Sequence, residues 1–127
     1  MDETIRLSID DVVKALGGIR CGAACTETEL HELAAQALSG AGIAAEHEAR
    51  LAPRCRIDFL AGEIGIEIKK KRPERSRLLE QLNRYAACDQ VAALVVVAPR
   101  GVNLPAKIGG KPVKMLSLER LWGIFLP

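Results

Sequence analysis

Asp58, Glu67 and Lys69 are the residues of this chain whose types and spacing best suit chemistry. They fall within residues 56–69, whose alternation reads as two short strands joined by a tight turn. A period of two places Ile57 and Phe59 on one face with Ile64, Ile66 and Ile68. It places Asp58, Glu67 and Lys69 together on the other. Carboxylates supply hard oxygen ligands for a divalent cation, and an ammonium supplies positive charge for a phosphate, as a metal-dependent phosphodiesterase requires. A salt bridge between Glu67 and Lys69 on an exposed strand would contribute under about 1 kcal/mol and leave Asp58 unexplained.

Register sharpens the expectation. Opposed residues of an antiparallel pair share a face, so the isoleucines stay together only if even positions pair with odd ones. A two-residue loop at 61–62 or a four-residue loop at 60–63 satisfies this. Either places Gly65 across from Asp58, with Glu67 one diagonal step away. A glycine there is expected to leave space over the sheet for an ion and a phosphate.

The flanking elements must position these groups. Ser8 and Asp11 form a capping-box pattern before a short helix with Ile9, Val12, Val13 and Leu16, expected to pack on the outside. Thr26 and Glu29 form a second box, followed by Leu30, Leu33, Ala34, Ala37 and Leu38 at helical spacing and a stop at Gly40. Glu27 shares that stripe and either points at the sheet or serves the helix dipole. A first strand is predicted over residues 42–51, ended by Pro53. A basic turn at residues 70–73 leads to a helix over about residues 74–87, where Gln81 and Tyr85 share a face. Residues 91–98 form a continuous apolar run, as in a strand covered on both sides. Beyond a turn at Gly109-Gly110, a short edge strand over 112–116 and a final helix from Ser117 carry the apolar Trp122, Phe125 and Leu126.

At 127 residues the chain is read as one domain with a real core, and no apolar run is long enough to span a membrane. With no signal peptide evident, a cytoplasmic location is expected. The four cysteines have no zinc-ligand spacing, so free thiols are expected, with an iron–sulfur cluster as the minor alternative. His31 and His47 read as surface residues. Between Arg50 and Arg84, ten basic and five acidic residues give +5, leaving −3 for the rest of a chain of net charge +2. Positive charge around carboxylates favours a polyanionic substrate.

At Arg56-Ile57-Asp58-Phe59, Ile66-Glu67-Ile68-Lys69 and Gln81-Leu82-Asn83-Arg84-Tyr85 the chain resembles the PD-(D/E)xK nuclease superfamily, the restriction-endonuclease-like group that includes Holliday-junction resolvases. The resemblance covers about residues 26–98, and Ile57 stands where the family name has proline. It implies an α/β fold with an αβββαβ core, a mixed central sheet flanked by helices. It implies Mg²⁺, with Mn²⁺ able to substitute, held by Asp58, Glu67, the Ile68 carbonyl and Glu27. Lys69 would orient the attacking water or stabilise charge on the phosphorane, and Gln81 would position Lys69 or a phosphate. Arg56, Lys70, Lys71, Arg72, Arg75, Arg77, Arg84 and Tyr85 are the candidate nucleic-acid contacts.

The function expected is therefore Mg²⁺-dependent hydrolysis of DNA phosphodiester bonds. The alternatives are a nucleic-acid-binding module that does not cleave and a small interaction domain working through Trp122 and Phe125. With four aromatic residues in all, a base-stacking platform for single strands is poorly supported, so duplex or branched DNA is the expected partner. Cutting both strands with one small domain usually takes two copies, which makes a homodimer part of the expectation.

Overall fold

Both capping boxes form, and they start the two helices that cover one face of the sheet. In the computed structural model, which describes residues 7–22 and 24–119, Ser8 caps α1 (Ile9–Leu16) and Thr26 caps α2 (Glu27–Gly40). In each, the cap oxygen accepts from the third helical N–H while that residue's carboxylate accepts from the cap N–H. Two otherwise orphaned backbone donors are satisfied at each helix start. Glu74 caps α3 (Arg75–Ala86) on the other face.

The fold is α/β, with six strands in one mixed sheet: β1 (Glu46–Ala52), β2 (Cys55–Ala61), β3 (Ile64–Ile68), β4 (Ala93–Ala98), β5 (Lys107–Ile108) and β6 (Lys111–Ser117). Their order across the sheet is β1-β2-β3-β4-β6-β5. The first three strands form an antiparallel meander, and β3, β4 and β6 run parallel. Helix α3 makes the crossover that a parallel β3–β4 pair needs.

Leu30, Ala34 and Leu38 of α2 pack with Val12 and Leu16 of α1 on Phe59, Ile64, Ile66, Ile68, Val95 and Val97. Leu78, Leu82 and Tyr85 of α3 pack with Ala49, Leu51, Ile57, Leu94 and Val96 on the opposite face. All six residues of β4 are buried, as the apolar run predicts. Fully burying each leucine contributes roughly 1.5–3 kcal/mol.

Several expectations change. α1 is part of the core rather than an outer appendage: Val12 and Leu16 are fully buried. β1 begins at Glu46, since residues 42–45 lack a ladder partner. The edge beyond β6 is taken by the two-residue β5, which no run of apolar residues announces. Cys21 and Cys25 are joined in a disulfide with Cα atoms 5.5 Å apart, while Cys55 and Cys88 are free. That Cα separation lies within the range a bridge needs, so the free-thiol reading fails for that pair. The terminal helix with Trp122, Phe125 and Leu126 lies outside the described residues. Among the described residues no helix is long and apolar enough to cross a membrane.

Candidate functional site

The site lies where β2 and β3 part. Their pairing runs Ala61↔Ile64, Leu60↔Gly65, Phe59↔Ile66 and goes no further. Gly62, at φ 60, opens the turn. Even positions do pair with odd ones, but Gly65 faces Leu60, not Asp58. Gly65 leaves no space for an ion either. A Cβ there would lie 2.6 Å from Ile57 Cδ1 and 3.0 Å from Leu94 Cδ2, so this glycine admits core packing.

The strict alternation expected of β2 also breaks. Between the pairs His47↔Phe59 and Ala49↔Ile57, Glu48 and Asp58 are unpaired, and Glu48 adopts φ 55. Across this break the strands exchange faces. Phe59, stacked on His47 at 4.7 Å, packs under α2, whereas Ile57 and Ala49 pack under α3. Ile57 and Phe59 therefore do not share a face. Asp58, at the crossover, turns into the gap between β2 and β3, where its Oδ2 accepts the Ile68 N–H at 2.7 Å. The carboxylate takes the place of the missing β2 partner.

Glu67 and Lys69, two apart on one strand direction, do meet as expected: Lys69 Nζ is 3.1 Å from Glu67 Oε2. Gln81 Nε2 donates to the same oxygen at 3.1 Å and to Tyr85 Oη at 2.9 Å. The Tyr85 hydroxyl lies 3.0 Å from Glu67 Oε1 and 3.1 Å from the Arg56 carbonyl, so it spans the gap between the strands. The i, i+4 spacing on α3 aims both side chains at one carboxylate. Tyr85, read from sequence as a nucleic-acid contact, is 3 % exposed and holds Glu67 instead.

Burial raises the pKa of Glu67, with the Asp58 charge adding to it, while Lys69 and Tyr85 act against it. Burial likewise raises that of Asp58, opposed by the Ile68 N–H, His31 and Lys69. Burial and the Glu67 charge raise the Tyr85 phenol, which stays a neutral donor. Two carboxylates that each resist ionisation beside one ammonium favour the arrival of further positive charge.

Sequence reasoning missed His31. Its side chain is only 11 % exposed, and Nε2 stands 3.8 Å from Asp58 Oδ2 and 3.8 Å from Glu27 Oε2. Nδ1 is hydrogen-bonded to His47 Nε2 at 2.9 Å, while Nε2 is buried with no hydrogen-bond partner. The signal was present: His31 sits three before Ala34 and seven before Leu38, on the edge of the buried stripe of α2. Glu27 is itself exposed rather than within that stripe, yet it stands across His31 from Asp58.

The basic residues divide. Lys70, Lys71 and Arg72 line one cavity beside the end of β3. Arg56 pairs with Glu48 at 3.6 Å, and Arg75 Nε donates to the Asn103 carbonyl at 2.8 Å. Arg77 and Arg84 are exposed on α3.

Among the described residues no group of three or more His, Cys, Asp and Glu side chains is gathered to hold a metal by itself. The donor set nevertheless suits Mg²⁺, which takes one or two carboxylates and keeps several waters. Asp58 and Glu67 are those carboxylates. The Ile68 carbonyl leaves the strand on the same side as the N–H bonded to Asp58. The orphaned His31 Nε2 offers a nitrogen at the same place. No protein-family model, curated protein or solved structure matches this chain.

Proposed function

We propose that this chain is a divalent-metal-dependent nuclease of the PD-(D/E)xK kind, hydrolysing phosphodiester bonds in DNA. The order α2-β1-β2-β3-α3-β4 supports a restriction-endonuclease-like core. The observation that carries the reading is Asp58 bonded to the backbone N–H of Ile68, between Glu67 and Lys69 and close enough to interact electrostatically with both, with Gln81 and Tyr85 bonded to Glu67 behind them.

Mg²⁺ or Mn²⁺, held by Asp58, Glu67 and the Ile68 carbonyl, would polarise the scissile phosphate and acidify an attacking water. Glu67 presents Lys69 Nζ, which is 29 % exposed and free to donate to a phosphate oxygen. Gln81 and Tyr85 keep the Glu67 carboxylate from rotating. Glu27 and His31 stand beside Asp58 to hold water or the ion.

The test is a cleavage panel of single-stranded, duplex, flap and four-way DNA, with RNA alongside, in Mg²⁺ and Mn²⁺. Wild type cleaves at least one DNA substrate, and Asp58→Ala and Lys69→Ala each lose activity by at least about a hundredfold. Equal activity in all three proteins overturns the reading. A second reading draws on Glu67, whose two oxygens are already engaged: a module that binds DNA without cutting it. It predicts salt-sensitive binding that Asp58→Ala preserves, with no turnover.

A further inference from the structure

A cavity of about 520 Å³ opens beside the end of β3, lined by Lys70, Lys71 and Arg72 on one side. Leu30, Leu118, Pro99 and the bridged Cys21 form apolar parts of its lining. This volume falls in the range of small-molecule pockets, roughly 300–1,000 Å³. The three cations have no hydrogen-bond or ion-pair partner among the described residues. Arg100, which also lines the cavity, is engaged by Glu119 at 3.0 Å. Across the first turns of α2 the charge reverses: a second cavity there is lined by Glu27, Glu32 and Glu48. A polyanion crossing the site is repelled on that side and attracted on this one.

We propose that this basic cavity is a subsite for one nucleotide of the bound strand, next to the phosphate held at Lys69. The inference rests on the nuclease reading and deepens it. Lys70, Lys71 and Arg72 follow Lys69 directly, so their backbone lies within about 11 Å of it even if fully extended. They bind the neighbouring phosphate, and Leu118, Pro99 and the disulfide accept the sugar. Among the described residues the lining offers cations for phosphate and apolar groups for sugar, contacts that position a strand without reading its bases.

Gly22 provides a test that leaves the charges alone. It lines the cavity, and a Cβ there would have no heavy atom within 4 Å. Gly22→Phe therefore adds a bulky side chain at the cavity lining with no clash at its Cβ. Binding of labelled duplex and single-stranded DNA to the full chain is followed by fluorescence anisotropy across a salt series. Gly22→Phe weakens binding by about tenfold with an unchanged Tm. Lys70→Ala/Arg72→Ala weakens it similarly and flattens the log–log salt slope by about 1–2, the signature of lost phosphate contacts. Arg77→Ala/Arg84→Ala on α3 has the smaller effect. Wild-type binding that Gly22→Phe leaves untouched overturns the subsite and spares the nuclease reading. Failure of the wild type to bind any DNA removes both.

Discussion

Glu67 accepts from a phenol and an amide, pairs with an ammonium, and still holds its proton to a higher pH than an exposed glutamate, because it is buried beside Asp58. Asp58 shifts in the same direction. In the interval between the ordinary carboxylate range and these raised values, the folded chain binds more protons than the unfolded one. Stability therefore falls as pH rises through that interval. Tm measured against pH should decline there in wild type and decline less in Glu67→Gln. Added Mg²⁺ should raise Tm most at the high-pH end, where both carboxylates are ionised and ligand binding stabilises the folded state. Tyr85→Phe removes the donor shared by Glu67 and the Arg56 carbonyl. Leaving such buried acceptors short should cost about 1–3 kcal/mol in urea denaturation, and the proposed nuclease function predicts that cleavage falls with it.

The elements position these groups through local rules of differing legibility. Thr26→Ala should cost about 1 kcal/mol, because the α2 cap is a simple pairing of side chain and backbone. The same simplicity made both capping boxes, the Gln81–Tyr85 face and the buried β4 readable from spacing alone. Gly65→Ala should cost about 1–3 kcal/mol by overpacking against Ile57 and Leu94. Adding Ile57→Val, which removes the atom 2.6 Å from the new methyl, should recover part of it in the same denaturant titration. That glycine was misread because hairpin parity admits several registers, and local pattern does not choose among them. The exchange of faces at Glu48 and Asp58 was hidden for a related reason. Period-two reasoning assumes an unbroken ladder, and nothing in a glutamate announces φ 55. His31 lay on the margin of an amphipathic stripe, where a polar residue reads equally as surface or as core. The Cys21–Cys25 bridge depends on a loop geometry that spacing permits but does not dictate.

At the scale of the whole molecule, the sheet separates two apolar layers, and the candidate site opens where its antiparallel and parallel parts meet. Acidic residues of α2 and β1 stand on one side of that opening and the basic turn after β3 on the other. A net charge of +2 conceals this polarity, and the proposed DNA binding predicts an affinity that falls steeply with salt despite the near-neutral total. The left-handed break at Glu48 has a further consequence for encounters between copies of the chain. β1 is a border strand, and unpaired strand borders invite other chains to hydrogen-bond along them. Here the border carries Glu46 and Glu48 and kinks between them and Ala49. On the opposite border, β5 offers two residues. Among the described residues neither border is a good template for lengthening the sheet, so two copies pairing along a strand border is disfavoured.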